Sequence, residues 1–560
     1  MAINYKSDIL VVPTVSSLFN LKINDNQLVQ TQGYSTEGVG ANLYRYDAGS
    51  SATINGGFVL SGLGGTLSFS GTIFNGTAGT GRFIAVDQTV ADVTKFGADP
   101  SYVTECSQNF QRAIAASAAN SRRPAVTIPV GKYKTTSTIT ITDHSIALVG
   151  LGNPSLGRGD DSSGTTRGAT IRYSGTGTAL LIGVAPGTNG TFIENTRIEH
   201  LRIEVDDNTS IAMRVWHSSH GYYNDMSIFG MKGTSNIGLQ VEAGIDNIYE
   251  RIEVSGIGQN VGASTADYAV GLRGKLGYSN DLATTTVFKR CYFHYCYYAA
   301  HIDYTYDFED CVFEASAYGV ISPSFFYSSF LRCWFEANTT VDAYFTPDTV
   351  ATFISCDINS YARQTFFAGN GASTIKFDSC HLSTTHVSPI LWMTGNAPVV
   401  DNMIFTNCTL PSGAVFGTDW YGRVPNAKNL DMDTVTYRYI ESSVTGTNTF
   451  NTMTTEDGVQ TSYRIPKDGH LLGVRVLSSA AMSGGSWDLG INVNGSSQTL
   501  LSYPIVPTTS STPFTLAGHP YQAYVEAGDI LTVYLHTASV SGTLDFIVEV
   551  DVALGNDGRQ

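Results

Sequence analysis

FKRCYF at Phe288–Phe293, FEDCVF at Phe308–Phe313 and FLRCWF at Phe330–Phe335 share one register with FISCDI at Phe353–Ile358, FDSCHL at Phe377–Leu382 and FTNCTL at Phe405–Leu410. The common pattern is Phe-x-x-Cys-x-apolar. It continues upstream without cysteine as Ile198-Leu201-Ile203, Tyr223-Met226-Ile228 and Tyr249-Ile252-Val254. Successive copies begin 25, 26, 39, 20, 22, 23, 24 and 28 residues apart. Periods of this length mark solenoids: one coil cannot bury its own apolar face, so coils stack into a shared core. Stacked parallel strands lie ~4.8 Å apart, so like residues form ladders inside the coil. Six of the eight cysteines fall in one such column. They read as small buried hydrophobes, because no CxxC pair is present and stacked side chains sit farther apart than the ~3.8 Å Cβ spacing of a disulfide.

The repeat spans about Thr170 to Leu410. Its 39-residue step holds an insertion at about Gly258–Thr285, the kind of loop that walls a groove. Strand parity sorts the remaining positions. With Cys333 and Phe335 inward, three columns point outward: Arg290, Asp310, Arg332, Ser355, Ser379; then Tyr292, Val312, Trp334, Asp357, His381; then His294, Glu314, Glu336, Asn359, Ser383.

Outside the repeat the chain changes character. Residues 1–90 carry the Gly/Asn/Asp turns and short alternating runs of hairpins, notably Gly33–Val59. In Asp92–Ser117, Val103, Cys106, Phe110, Ala113 and Ile114 have the spacing of one face of a short helix, a stripe that Ser117 weakens. The solenoid is expected over 91–412 and a connector over 413–455. A β-sandwich is expected over 456–560, where runs such as HLLGVRVLSS and DILTVYLHTA alternate between turn residues.

Composition agrees with a strand-and-turn protein. Charged residues are 14%, and Tyr (30) and Phe (27) far outnumber Trp (5). The net charge of -16, with no basic cluster, excludes nucleic acid as a partner. It suits a neutral polymer, or an acidic one only where local Arg and Lys offset the field. No signal peptide and no membrane-length apolar run occurs, so synthesis in a cytoplasm with reduced thiols is expected.

The stretch DVTKFGADPSYVTECSQNFQRAIAAS (Asp92–Ser117) resembles the opening of the pectate-lyase-like β-helix of bacteriophage tailspikes. It departs only in its loop, where Ala98-Asp99-Pro100-Ser101 replaces a Gly-Asp-Gly. Gly33–Val59 resembles the small domain that precedes such a helix, and the C-terminal runs resemble trimerising or sugar-binding caps. The resemblance implies an all-β right-handed parallel β-helix and a homotrimer in the virion tail. It also implies attachment to another tail protein through the N-terminus, and binding and depolymerisation of a bacterial surface polysaccharide. The family places its catalytic residues differently from member to member, so the resemblance assigns none here.

The residues themselves supply candidates. Glu314 and Glu336 occupy equivalent places on successive coils, so their carboxyls are expected ~5 Å apart. Glycosidases use two carboxyls roughly 5–5.5 Å apart for retention or 6.5–9.5 Å for inversion. Asp357 stacks one coil beyond Trp334, and Asp303 and Asp307 follow the insertion. Trp334, Arg332, Tyr292 and His294 offer rings and hydrogen bonds to a sugar. A second patch holds Asp206, Asp207, Arg214, Trp216, His217, His220, Asp225, Glu242 and Asp246, from which Trp216 and His217 are further substrate-binding candidates. The plainer reading makes Arg290–Asp310–Arg332 a stacked ion-pair ladder and the second patch a turn with surface histidines. No metal site or cofactor is expected. No nucleophile elbow, zinc-protease helix motif or phosphate loop is present. A non-enzymatic adhesin and a lyase using His or Tyr as base are the competing readings, since the fold does not choose.

Overall fold

The computed structural model describes residues 9–153, 168–184, 192–206, 208–230, 236–256, 270–275, 285–303, 305–322, 327–345, 350–360, 364–368, 374–384, 390–394 and 402–409. Toward the C-terminus it describes 415–416, 432–446, 449–452, 454–455, 462–465, 469–478, 487–493, 514–516, 524–525, 528–537 and 540–555. Two bodies, residues 1–317 and 318–560, are taken in turn.

The first body opens with a sheet in the order Leu10–Val12, Leu28–Gly33, Glu37–Asp47, Thr80–Ala85, Val59–Leu63. Its pairings are antiparallel except for the first. Tyr44, Tyr46, Leu60 and Phe83 are buried against one another, as the alternating runs predict. Gly57 is required by close approach: a Cβ there would lie 2.5 Å from the Phe96 ring.

The helix runs over Ser107–Ala119. Phe110, Ala113 and Ile114 line its buried face, and Phe110 meets Tyr133 edge-on at 5.4 Å. Val103 is not on it. That residue sits in the strand Ser101–Glu105 and is 75% exposed, because Glu105 ends the strand and its carboxylate accepts from the Ser107 N–H at 2.9 Å. Ser117 extends the buried face after all, since its hydroxyl donates to the Pro124 carbonyl at 2.6 Å.

Two parallel sheets then build the coil. In the first, the register pairs Ile198 with Tyr223, Tyr249, Phe288 and Phe308 on successive rungs. Ile203, Ile228, Val254, Phe293 and Phe313 form a second inward ladder. These are the ladders expected from the repeat. Tyr223, Tyr249, Phe288 and Phe308 stack at 4.6, 4.7 and 5.2 Å. The second sheet stacks Ile139–Ile141, Thr178–Ile182, Ile211–Trp216, Ile237–Glu242, Val270–Lys275 and Tyr298–Ile302. Val270–Lys275 lies inside the 39-residue step. That stretch therefore contains a rung strand, and the rest of Gly258–Thr285 lies almost wholly outside the described residues.

The residue before each cysteine of the column, and before Leu201, Met226 and Ile252 upstream, turns the chain. His200, Asp225, Arg251, Arg290 and Asp310 all have φ between 49 and 54°. Each sits at a left-handed corner splitting a rung of the first sheet. The outward column expected to run through Arg290 and Asp310 on a strand is thus a column of corners. The thiols brace these corners: Cys291 Sγ donates to the Tyr249 carbonyl and Cys311 Sγ to the Phe288 carbonyl, both at 3.4 Å.

The second body repeats the scheme. Phe330, Phe353 and Phe377 stack at 4.6 and 4.8 Å, and Cys356 Sγ reaches the Phe330 carbonyl at 3.1 Å. Arg332, Ser355, Ser379 and Asn407 occupy corners with φ of 51–55°. Farther on, Met432–Gly446, which falls within 413–455, pairs antiparallel with Val540–Gly555, which also pairs with Gly469–Ser478. A second antiparallel sheet joins Thr449–Thr452, Tyr463–Arg464 and Trp487–Val493 to Ile530–Thr537. Tyr439 links the two sheets by donating to the Leu531 carbonyl at 2.7 Å. Among the described residues no helix is long and apolar enough to cross a membrane.

Candidate functional site

Outward strand positions of the coil are where candidate site residues fall, because inward ones are filled by the ladders. Between the corners Arg290 and Tyr295, the chain has room for only a short strand, Tyr292–His294. Phe293 points in, so Tyr292 and His294 point out on the same face. Their rings stack face to face, 3.9 Å apart and 2° from parallel. The Tyr292 hydroxyl hydrogen-bonds the Glu314 carboxylate. Tyr292, His294 and Glu314, named from sequence parity, are therefore one network.

His294 is nonetheless fully buried, although it faces away from the core. Its Nε2 lies 2.9 Å from Oε1 of Glu253, which is also buried and was not singled out from the sequence. Glu253 pairs in register with Tyr292. Extending the Tyr292 column one rung upstream, past the last cysteine, would have found it.

The outer face of the second sheet holds another cluster. Arg214 lies over the Trp216 ring at 3.3 Å and bonds Glu242 at 2.8 Å. Trp216 Nε1–H and the Gln240 amide also donate to Glu242. Farther along the sheet, Arg273 grips Asp303 with two hydrogen bonds of 3.1 and 2.6 Å, with His301 Nε2 3.6 Å from the same carboxylate. Burial first, then the Arg273 charge, pushes His301 down to about 3. The Asp303 contact would favour the charged ring, but that carboxylate is already neutralised by Arg273. Arg273 was missed from sequence because Val270–Lys275 lay in the stretch read as an insertion, and His301, on Tyr298–Ile302, because the second sheet was not read as a repeat.

Of the remaining members of the second patch, only His220 and Asp246 are paired with each other among the described residues. Asp206 pairs with Arg172, Asp225 with Arg251 and His200, and Asp246 with His220. The bonds from Arg251 hold the Asp225 carboxyl below its usual range. Asp207 lies outside the described residues. His217 is buried at a left-handed bend, edge-on to Phe192 at 5.5 Å. Asp307 is half-buried on Tyr306–Glu309, in the first sheet, whereas Asp303 lies at the end of a second-sheet strand.

In the second body, Trp334, Asp357 and His381 stack in register, beside Glu336, Asn359 and Ser383. These two columns stand as the parity argument placed them. Trp334 is 42% exposed and its Nε1–H donates to Glu336 at 3.0 Å. Asn359 donates to Glu336 at 3.4 Å, and His381 Nδ1 lies 3.4 Å from Asp357. Arg332 is exposed, but at a corner rather than on the strand. Among the described residues no group of three His, Cys, Asp or Glu side chains is arranged to hold a metal ion.

One arrangement recurs: a flat aromatic ring whose polar edge donates to a carboxylate on the outer face. It occurs as Trp216–Glu242, Tyr292–Glu314 and Trp334–Glu336. Each combines an apolar plate with an oriented acceptor, the two features that grip a pyranose ring and its hydroxyls.

No family model and no curated protein matches the chain. Solved structures do. The tailspike protein of Acinetobacter phage vB_ApiP_P1 is 14% identical with a TM-score of 0.52, covering 96% of this chain and 98% of that one. The tailspike of Acinetobacter baumannii phage AM24 is 13% identical over 98% and 94% of the two chains, with a TM-score of 0.38. The enzymatically active domain of tailspike protein 4 of bacteriophage CBA120 is 10% identical over 98% and 78%, with a TM-score of 0.43. Long parallel ladders joined by crossovers are right-handed in nearly all proteins. In fold, the chain is all-β, a right-handed parallel β-helix similar to that of the vB_ApiP_P1 tailspike protein.

Proposed function

We propose that this protein is a virion tailspike that binds a bacterial surface polysaccharide and cleaves it by hydrolysis. The observation that carries the proposal is the recurrence of ring–carboxylate pairs on the outer face of the coil. Trp334, Tyr292 and Trp216 supply surfaces for sugar rings, and the exposed Arg332 supplies hydrogen bonds at the corner column. Glu314 and Glu336 hold equivalent places in the repeat and are the candidate catalytic carboxyls. Hydrolysis of this kind needs one carboxyl that gives its proton to the leaving glycosidic oxygen and another that takes a proton from the attacking water or bonds the sugar carbon directly. Asp357, beside His381, is the next candidate, followed by Asp303 and Asp307. His294 and His217 are buried, which takes them out of direct contact with a sugar.

The test is to challenge purified protein with polysaccharides from a panel of encapsulated strains and to assay new reducing ends. Their release, with loss in Glu314→Gln and Glu336→Gln, is the expected result. Binding without fragments would make the protein an adhesin. Fragments bearing a new C=C absorbance would make it a lyase.

A further inference from the structure

His294 and Glu253 form a pair that stability does not explain. Both are buried on the outward side of the first sheet, and each keeps one polar atom without a partner: His294 Nδ1 and Glu253 Oε2. A buried ionisable pair with unsatisfied atoms costs the fold more than an apolar pair of the same shape. Such a group persists when the surrounding structure uses it. What it touches is Tyr292, which lies flat on the imidazole and whose hydroxyl meets Glu314. Tyr295 also meets the imidazole, at 5.0 Å and tilted by 54°. The Nε2 contact to Glu253 fixes the plane of the ring, and the stack passes that plane to the tyrosine.

We infer that His294 and Glu253 are positioning residues that hold Tyr292 flat so that its hydroxyl orients the Glu314 carboxylate toward bound saccharide. This rests on the proposed function. Glu253 fixes the imidazole, the imidazole fixes the phenol, and the phenol fixes the reacting oxygen. Displacing a reacting group by about an ångström costs up to ~10²-fold in rate, so the pair acts on turnover more than on affinity.

The experiment compares full-length wild type, His294→Gln, His294→Phe, Tyr292→Phe and the double variant His294→Gln/Tyr292→Phe on a polysaccharide that the wild type cleaves. His294→Gln is expected to lower kcat by roughly ten- to a hundred-fold with KM little changed. Adding it to Tyr292→Phe should cause no further loss, because both act through one hydroxyl. His294→Phe keeps the stack and loses the bond to Glu253, so partial activity should return. Losses that multiply in the double variant, or a His294→Gln protein that cleaves at the wild-type rate, would overturn the inference. If His294→Gln does not fold, Glu253→Gln gives the same test with the shape preserved. A wild type that neither binds nor cleaves any polysaccharide removes the functional reading and this role with it. Cleavage undiminished in the variants removes this role alone.

Discussion

At the scale of single residues, burial decides behaviour more than identity does. His301 is pushed down to about 3 by burial and Arg273, against 6.5 for a free imidazole. Between about pH 6.5 and 3 the unfolded chain takes up a proton that the folded chain refuses. The stability tied to this residue is therefore intact above pH 6.5 and lost as pH falls toward 3. His301→Gln should lose less stability than wild type between pH 7 and 4.5, read as guanidinium midpoints, and an equal loss would contradict the account. The thiols make a parallel case. Burial pushes Cys106 up to about 11 and Cys296 up to about 12, and hydrogen bonding along the column pushes Cys356 and Cys380 up to about 12. All eight cysteines are buried and free. They should be silent toward Ellman's reagent at pH 8 in the native protein and react on unfolding; rapid native labelling would show that the column is not a core ladder. Much of the candidate site was legible at this scale. Parity alone put Tyr292, His294 and Glu314 on the outward side of their strands, and Trp334 and Glu336 likewise. It was silent on depth, because outward describes a strand's pleat and not what lies over it, so the burial of His294 was invisible.

At the scale of elements, the repeat was legible because its six cysteine-bearing copies keep Phe in one inward column and Cys in the next. The second sheet was not, because its equivalent positions hold Met213, Leu239, Leu272 and Ala300, whose sizes differ too much to reveal a ladder. The corners escaped for a different reason. Left-handed residues are usually betrayed by glycine or asparagine, yet here they include Arg290, Arg332 and Ser355. The preceding aromatic and the following cysteine impose the turn from the core side, and the corner residue only has to tolerate it. Exposed Ser355, with φ of 51°, tests this. Ser355→Val should cost about 1–2 kcal/mol from left-handed strain alone, whereas Ser355→Gly should be close to neutral. Denaturant titration of the two proteins reads the difference, and equal effects would mean that the corner is not strained.

At the scale of the molecule, a solenoid offers long outer faces on which side chains recur at each rung, a geometry matched to a polymer rather than to a small ligand. The acidic net charge disfavours polyanions except where Arg and Lys offset it, so the substrate's own charge should set the salt dependence of binding. We expect the protein to assemble as a homotrimer that docks onto the virion through its N-terminal end; light scattering should give three chain masses, and one chain mass would remove that expectation. The most direct test of the central claim is the reducing-end assay on capsular and O-antigen polysaccharides, run on wild type, Glu314→Gln and Glu336→Gln. The account predicts release by wild type and a loss of roughly 10²–10⁴-fold in each variant with binding retained. Polysaccharide bound by all three proteins and cleaved by none, or cleaved equally by all three, would contradict it.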